Sequence, residues 1–372
     1  MKLKIALLPG DGIGPEVTAQ AVSCLQAVEE TFGHEFIFAS ASVGAVAIAE
    51  TGDPLPEDTL ALCKRSDAVL FGAIGDPKFD NNPDSKVRPE QGLLKLRKEL
   101  GLFSNIRPVK VFPTLIGNSP LRREIVEHTD FVIYRELTGG IYFGEKTLSP
   151  DGTSASDLCL YTEDEISRIA HLAFKAAKNR RKKLTLVDKA NVLESSRLWR
   201  RVVTKIAESY PEVALNTLFV DNAAMQLILN PGQFDVILTE NMFGDILSDE
   251  GSVIGGSIGL LPSASVGERY SMFEPIHGSY PQATGKNIAN PLASILSAAM
   301  LLEHFGLREE ADAVSKAVDR SLREGIVTPD LDPKSKYGTD DVGHFVATHI
   351  ADGEDYRGLN KENIGLGKST II

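Results

Sequence analysis

Two aspartates on one predicted helical turn are the clearest sign of chemistry in this sequence. Asp245 and Asp249 lie four residues apart, a spacing that places both carboxylates on one face of a helix. Like charges at that spacing repel each other, so an isolated helix would not favour the pair. A hard divalent cation would relieve the repulsion, and Asp221, which ends the strand-like run 219–221, would supply a third oxygen ligand. Without such a cation the pair is an exposed acidic face.

Basic residues beside apolar runs form a second candidate group. Arg97 and Arg107 stand next to leucine and proline, and Arg135 directly follows the apolar run 131–134. The forked guanidinium of an arginine in such a setting suits bidentate binding of a carboxylate, although a structurally paired arginine gives the same pattern. Lys189 comes shortly after the strand-like run 184–187, where it is either a desolvated general base or a surface lysine.

Two turn-rich segments are candidate ligand loops. Residues 10–14 (GDGIG) lie between a predicted strand and a predicted helix, where a turn either cradles a phosphate or only reverses the chain. The dinucleotide fingerprint G-x-G-x-x-G is absent there because Pro15 follows Gly14. Residues 274–291 form a long loop ahead of an apolar helix, and such loops often bind ligands, although His277 in it would equally be a structural histidine.

The elements that would position these residues alternate between strands and helices, which predicts an α/β protein. Glycines flank β-prone residues in 139–144, so this segment, which includes Tyr142, is predicted as a short strand or hairpin. It leads into a polar stretch, 146–160, that could project as an arm. The predicted strands are residues 2–8, 67–74, 184–187 and 235–238, and the predicted helices follow Pro15 and cover 163–178, 198–210 and 291–302.

Composition restricts the class of protein. The chain has 372 residues, 42% of them hydrophobic and 24% charged, which are values of a globular protein, and this length predicts two domains. A formal net charge of -12 disfavours binding to nucleic acids and anionic membranes. The three cysteines form no CxxC pair, which indicates free thiols in a reducing compartment. No stretch is long and apolar enough to span a bilayer, so the predicted location is the cytoplasm.

Longer motifs combine these residues into a known pattern. Residues 8–16 (LPGDGIGPE) resemble the opening of the β-decarboxylating dehydrogenases, a family that includes isopropylmalate, isocitrate, homoisocitrate and tartrate/malate dehydrogenases. Residues 241–249 (NMFGDILSD) with 255–259 (GGSIG) are similar to the metal-site signature of that family. The resemblance runs from Leu3 to about Gly343. It implies an NAD-dependent, metal-dependent oxidative decarboxylase with a two-lobed α/β fold of the isopropylmalate/isocitrate dehydrogenase type, which is not a standard Rossmann domain.

The resemblance also implies lobes and an assembly. Residues 1–99 plus 252–372 would form the cofactor-binding lobe, and residues 100–251 would form the lobe for dimerisation, substrate and metal. In the implied homodimer, Lys189 and Asp221 reach the site of the partner, and the stretch 146–160 clasps the partner. A single subunit would therefore be inactive.

The segment 89–97 (PEQGLLKLR) predicts the substrate. In the isopropylmalate branch of the family the matching Glu and Leu-Leu pair line the pocket for the isopropyl group, whereas the isocitrate branch has polar residues there. Burying a carboxylate against Leu93 and Leu94 would cost several kcal/mol. The implied reaction is the oxidative decarboxylation of 3-isopropylmalate to 4-methyl-2-oxopentanoate in leucine biosynthesis, with homoisocitrate and tartrate/malate dehydrogenation as alternatives.

Individual roles follow from the same resemblance. Lys189 would take the hydroxyl proton of the substrate, and Tyr142 would protonate the product carbon. Gln282 stands where NAD-dependent relatives usually carry an aspartate, which weakens the expected preference for NAD over NADP. The implied substrate-binding residues are Arg97, Arg107, Arg135, Glu90, Leu93, Leu94 and Val192; those for Mg²⁺ or Mn²⁺ are Asp221, Asp245 and Asp249; those for NAD are Ile13, Glu274, His277, Gly278, Ser279, Gln282 and Asn290.

Two functions of other classes have sequence features against them. A catalytically silent regulatory subunit would have lost the base or the metal ligands, and Lys189 and the three aspartates are all present. A phosphotransferase built on the turn at residues 10–14 would carry Gly-Lys-Ser/Thr after it, and no such motif follows.

Overall fold

The computed structural model describes residues 1–80 and 87–352 of the chain. Strands and helices alternate along it, so the predicted α/β class is confirmed. The strands are β1 (Lys2–Gly10), β2 (Glu35–Ser40), β3 (Ala68–Ala73), β4 (Ser104–Lys110), β5 (Asp130–Glu136), β6 (Lys146–Leu148), β7 (Ala155–Asp157), β8 (Lys183–Asp188), β9 (Ala214–Phe219), β10 (Val236–Thr239), β11 (Pro262–Val266) and β12 (Ser271–Pro275). The α-helices are α1 (Gly14–Phe32), α2 (Ala45–Thr51), α3 (Glu57–Arg65), α4 (Pro77–Asp80), α5 (Pro89–Glu99), α6 (Arg123–Val126), α7 (Glu163–Asn179), α8 (Glu194–Ala207), α9 (Val220–Leu229), α10 (Asn241–Ile254), α11 (Leu292–His304), α12 (Arg308–Glu324) and α13 (Thr339–Asp352).

The chain folds into two compact units. The first contains Met1–Gly101 together with the described residues from Ser257 onward, and the second spans Leu102–Gly256. In the first unit the strands run in the order β2-β1-β3-β12-β11, and in the second the order is β4-β5-β10-β8-β9. Neighbours in these two strand orders are parallel except β12 with β11 and β5 with β4. The antiparallel β11 in the first unit is one departure from the standard parallel Rossmann sheet.

The predicted lobes are residues 1–99 with 252–372 and residues 100–251, whereas the two units of the structure divide the chain after Gly101 and after Gly256. The assignment of cofactor binding to one lobe and of substrate, metal and dimer contacts to the other stays a prediction. Residues 353–372, which the prediction included in the cofactor lobe, lie outside the described residues.

Local sequence explains the elements that lead to the site. Pro15 stands in the first turn of α1, where its missing N–H costs no hydrogen bond, and Gly33 ends this helix with a φ of 72°. β3 is buried along its whole length, as a continuous apolar run in a parallel sheet should be. The predicted helix at 291–302 is α11, whose residues are buried almost throughout.

The prediction of a strand or hairpin at 139–144 is wrong. Gly140–Tyr142 form a turn of 3-10 helix. Gly140 has a φ of 72°, a left-handed conformation that an extended strand does not use and that glycine adopts without strain. The glycines therefore mark a tight turn that carries Tyr142, rather than the edge of a sheet.

Other boundaries differ by a few residues. The helix predicted at 198–210 is α8, which begins at Glu194. The strand-like run before Asp221 ends at Phe219, so Asp221 lies in the first turn of α9 instead of on a strand. The stretch 146–160 contains the antiparallel pair β6 and β7, and all residues of both strands are exposed.

Two general predictions concern membranes and cysteines. In the ranges 1–80 and 87–352 no helix combines the length and the apolar character needed to cross a membrane. Cys24, Cys63 and Cys159 are all free thiols, as their spacing predicts.

Candidate active site

Helix α10 presents the two aspartates that were predicted to share a helical face. Glu240 caps the helix, because its carboxylate accepts a hydrogen bond of 2.8 Å from the backbone N–H of Phe243. Leu247 and Ile254 of α10 pack into the core of the second unit. This anchoring leaves the Asp245 side chain 32% exposed and the Asp249 side chain 66% exposed.

Two buried arginines on neighbouring strands balance the charge of these aspartates. On the antiparallel pair β4 and β5, Asn105 lies opposite Arg135, so Arg107 and Arg135 are diagonal neighbours on one face of the sheet. Arg135 donates through Nη1 to Asp245 Oδ1. Arg107 Nη1 lies 3.2 Å from Asp249 Oδ1, and Arg107 Nη2 lies 3.6 Å from Asp245 Oδ1. The structure therefore places two cations and two carboxylates in one cluster.

Tyr142 joins the same cluster. Its hydroxyl donates to Asp245 Oδ2 at 2.9 Å, and the guanidinium of Arg135 lies 5.7 Å from the centre of its ring. Burial and the negative charge of Asp245 raise the pKa of Tyr142. The phenol thus stays protonated well beyond neutral pH, which suits a proton donor and not a base.

Lys189 and Asp221 are also close together, at the carboxyl ends of β8 and β9. Lys189 Nζ lies 2.8 Å from Asp221 Oδ1. The hydrogen bond from Lys189 lowers the pKa of Asp221. The described residues of one chain contain no group of three or more Asp, Glu, His or Cys side chains that could hold a metal ion. A single subunit therefore does not add Asp221 to the Asp245 and Asp249 pair.

In the first unit, two residues predicted for different ligands form a buried ion pair. Arg97 Nη2 lies 2.8 Å from Glu274 Oε1, and the two side chains are 11% and 7% exposed. Glu274 belongs to β12 rather than to the loop where it was predicted. Arg97 Nε is buried without a hydrogen-bond partner, so the guanidinium still has a donor for an anion.

The remaining residues of the predicted substrate set lie in two places. Leu93 and Leu94 are partly buried on α5, whose Leu96 faces the core. Glu90 Oε1 points to Gly75, where an added Cβ would lie 3.1 Å from it. Val192, in the second unit, is 61% exposed.

The turn at residues 10–14 packs against the predicted cofactor loop. The backbone N–H of Ile13 donates to the carbonyl of Ser279 at 2.8 Å, and a Cβ on Gly12 would lie 2.0 Å from that carbonyl. The carboxylate of the buried Asp11 accepts hydrogen bonds from the N–H groups of Ala45, Val46 and Gly75. The turn therefore has a structural role, and it places Ile13 directly beside the loop.

Within that loop His277 and Asn290 are held in contrasting ways. His277 Nδ1 contacts the carbonyl oxygen of Gly278 at 3.0 Å, while its Nε2 is buried without a partner. Burial lowers the pKa of His277, so its ring is neutral at neutral pH. Asn290 is buried and donates to Asp330 at 3.1 Å. Gln282 is exposed in the 3-10 turn Pro281–Ala283.

Sequence reasoning missed the polar residues that hold the arginines in place. Asn241 Oδ1 accepts hydrogen bonds from Arg135 Nε and Nη2 at 3.1 and 2.9 Å. Asn105 and Ser248 accept from Arg107, each at 2.6 Å. Asn241 was visible as the first residue of the motif 241–249, but the motif alone does not show which side chain it meets.

Comparison with known proteins decides the family. A family model described as "Isocitrate/isopropylmalate dehydrogenase" matches residues 4–346. The chain belongs to this family. The resemblance inferred from the motifs is thereby confirmed, as is the prediction that the chain is a dehydrogenase with the two-lobed fold of the family.

Individual relatives agree with this assignment. The chain is 57% identical over 352 residues to the 3-isopropylmalate dehydrogenase of Bacteroides fragilis (strain YCH46), covering 94% of this chain and 99% of that protein. The crystal structure of isocitrate dehydrogenase from Methylococcus capsulatus is similar with a TM-score of 0.84 and 33% identity, over 94% of this chain and 99% of that one. The beta-decarboxylating dehydrogenase of Thermococcus kodakarensis matches with a TM-score of 0.79 and 37% identity, over 96% and 100% of the two chains.

Proposed function

We propose that this enzyme oxidises and decarboxylates 3-isopropylmalate to 4-methyl-2-oxopentanoate in leucine biosynthesis, using NAD and Mg²⁺ or Mn²⁺. The observation that supports it most directly is the cluster in which Arg107 and Arg135 meet Asp245, Asp249 and Tyr142. This cluster offers cations for carboxylates, acidic ligands for a metal and a proton donor. The free cysteines agree with a reducing compartment, and we place the enzyme in the cytoplasm.

Substrate binding is the proposed role of the arginines. Arg107 and Arg135 are nearly fully buried, so their charges act in a poorly solvated environment where they bind carboxylates strongly. In the first unit, the unpartnered Nε of Arg97 is a further donor for a carboxylate. Leu93 and Leu94, beside Glu90 on α5, would contact the isopropyl group, and Val192 would add apolar surface.

The aspartates fit a divalent cation through the chemistry of their donors. Carboxylate oxygens from Asp245 and Asp249, one helical turn apart, are the ligands that Mg²⁺ and Mn²⁺ prefer, and Asp221 would complete the set from a partner subunit. When bound there, the cation would polarise the C2 oxygen of the substrate and favour loss of carbon dioxide.

Residues of the first unit fit the adenosine part of NAD. The buried, unpartnered Nε2 of His277 is a free hydrogen-bonding atom in the loop, and Ile13 lies against Ser279. Glu274, Gly278, Gln282 and Asn290 complete the proposed contacts. NAD supplies the hydride acceptor for oxidation at C2.

Two residues would move protons. Lys189 would act as the neutral amine and accept the proton of the C2 hydroxyl as the hydride leaves, and Asp221 would orient the side chain and stabilise the ammonium group that forms. Tyr142, whose raised pKa keeps the phenol protonated, would donate a proton to the carbon that loses carbon dioxide. Asp245 accepts the hydrogen bond of Tyr142 and so fixes the direction of that hydroxyl.

Exposed apolar side chains support the proposed homodimer. On α9 they share a face with Asp221, and on α10 they lie on both sides of Asp249, at helical spacing. A second copy of the chain that covers this surface would bring the two sets of acidic residues together. The exposed apolar residues are Met225, Ile228 and Leu229 on α9, and Ile246 and Val253 on α10, with Leu148, Leu158 and Leu160 on the proposed arm.

The substrate assignment predicts a large difference between two diacids. Because Leu93 and Leu94 cannot pair with a charged group, kcat/KM for 3-isopropylmalate should exceed that for isocitrate by more than about 1000-fold. The measurement is the absorbance of NADH at saturating NAD and magnesium. Homoisocitrate, tartrate and malate belong in the same panel, because a higher kcat/KM for any of them would replace the proposed substrate.

The cofactor loop predicts a limited preference for NAD. Gln282 is neutral and exposed, and its neighbours at 281 and 283–285 carry no positive charge for a 2′-phosphate; the nearest cation along the chain is Lys286, four residues away. We expect NAD to be preferred over NADP, and Gln282→Asp to widen the margin by about 1 kcal/mol or more by repelling the phosphate. Gln282→Asn is the matched neutral control. A parent enzyme that prefers NADP, or equal ratios of kcat/KM in the two variants, would contradict this reading.

A further inference from the structure

Asn241 links two parts of the active-site cluster that come from distant segments of the chain. Its Oδ1 accepts both Nε and Nη2 of Arg135, and its Nδ2 donates to the carbonyl oxygen of Gly139 at 3.2 Å. Gly139 immediately precedes the 3-10 turn that carries Tyr142. One buried amide thus bonds the guanidinium of Arg135 on one side and the turn of Tyr142 on the other.

Tyr161 contacts both Asn241 and the 3-10 turn that carries Tyr142. Its hydroxyl accepts the backbone N–H of Asn241 at 2.9 Å and donates to Glu240 at 3.0 Å. A Cβ on Gly140 would lie 2.2 Å from that hydroxyl oxygen, and a Cβ on Gly139 would lie 2.8 Å from the ring. The turn therefore rests directly on the Tyr161 side chain, and the double glycine is what allows it.

The polarity of these groups permits one arrangement. Arg135 offers only donors and the carbonyl of Gly139 offers only an acceptor, so the Asn241 amide has a single satisfactory orientation. Glu240 is buried, and burial raises the pKa of its carboxyl group; the Tyr161 hydroxyl is one of its hydrogen-bond donors. A buried polar group that loses its hydrogen-bond partner destabilises the folded protein. Each side chain in this network therefore holds the orientation of the next one.

We propose that Asn241, held by Tyr161, is a positioning residue that sets Tyr142 and Arg135 in the geometry needed for protonation of the product. The proposal rests on the proposed function, because it takes Tyr142 as the proton donor. A displacement of the donor by about 1 Å is enough to lower turnover about 100-fold. The network lies entirely in the second unit, so it should affect turnover and substrate binding but not the proposed cofactor loop.

The test is a double-mutant cycle on kcat, measured with whichever 2-hydroxy diacid the parent enzyme turns over. Asn241→Ala and Tyr142→Phe should each lower kcat about 100-fold. If Asn241 acts through Tyr142, the double variant should be close to the slower single variant, whereas independent effects would multiply to a loss of about 10,000-fold. The KM for NAD should stay at the parent value in all variants.

Two further variants separate positioning from a general loss of structure. Asn241→Asp keeps an oxygen for Arg135 but sets an oxygen against the carbonyl of Gly139. Its KM for the substrate should therefore equal that of the parent enzyme, whereas its kcat should stay as low as that of Asn241→Ala. Tyr161→Phe removes only the hydroxyl, and it takes the place of Asn241→Ala in the cycle if that variant does not fold. The chain has one tryptophan, Trp199, which lies edge-to-face with Tyr161 at 5.4 Å, so an unchanged emission spectrum would show that the local packing is intact.

Three results would overturn the inference while leaving Tyr142 as the proposed proton donor. These are a multiplicative loss in the double variant, a full kcat in Asn241→Ala, and a rise in the KM for NAD that matches the loss of kcat. A parent enzyme that does not use 3-isopropylmalate would contradict the proposed substrate but would leave the cycle valid. A Tyr142→Phe variant with full turnover would overturn both the proposed proton donor and the inference.

Discussion

Replacing Lys189 with methionine should lower turnover about 100-fold or more, which is the usual contribution of a general base. Methionine is one atom shorter than lysine but keeps an unbranched side chain, and it lacks the ammonium group that lies 5.9 Å from the centre of the Phe219 ring. It removes the amine that pairs with Asp221. That ion pair is largely exposed on the Asp221 side, so folding should be little affected. Stopped-flow NADH absorbance and a thermal melt would measure the two effects.

The same variant can show whether the site is shared between subunits. Lys189→Met and Asp245→Asn should each be nearly inactive alone. If Lys189 acts in the partner's site, one site of a mixed dimer is intact, and random exchange of subunits at equal amounts should recover about one quarter of parental activity. A mixture that stays inactive after exchange would show that Lys189 and Asp245 serve the same site from one subunit. Lys205→Met, an exposed lysine on α8, is the control and should retain full activity.

The sequence predicts the residues of the site better than it predicts the polar residues that hold them in place. The spacing of Asp245 and Asp249 is a property of one helix, so it can be read directly from the chain. The contacts of Arg107 with Ser248 and of Arg135 with Asn241 join residues more than a hundred positions apart. Such contacts depend on the register of β4 and β5 and on the packing of α10, which no local pattern contains.

The fold shows the same limit at two particular places. The strand at 67–74 was predictable because a buried parallel strand is a continuous apolar run. The turn at 140–142 was not, because glycine is compatible with a strand edge, a bulge or a turn, and the outcome here is decided by contact with Tyr161. The ion pair between Arg97 and Glu274 was likewise not predictable, because the two residues lie 177 positions apart and no local pattern links them.

Removal of divalent cations should abolish turnover, and magnesium or manganese should restore it. Asp245 and Asp249 are paired with Arg135 and Arg107 in the structure, so their charges are neutralised without a metal. The fold should therefore survive chelation, with Trp199 emission and the thermal melt unchanged, while activity is lost. This combination distinguishes a catalytic cation from one that only holds the protein together.

Titration of the chelated enzyme with magnesium gives the sharper form of this prediction. Asp249→Asn removes one proposed ligand, and because its side chain is 66% exposed the substitution should cost little stability. The magnesium concentration for half-maximal activity should rise about 10-fold or more, by analogy with the loss caused by weakened metal sites. Glu250→Gln is the matched control, since it removes one negative charge from the next residue of α10, on a different face of the helix. Turnover that persists after exhaustive chelation would leave Asp245 and Asp249 as an acidic surface, and equal shifts in the two variants would mean that net charge, rather than ligation by Asp249, attracts the cation.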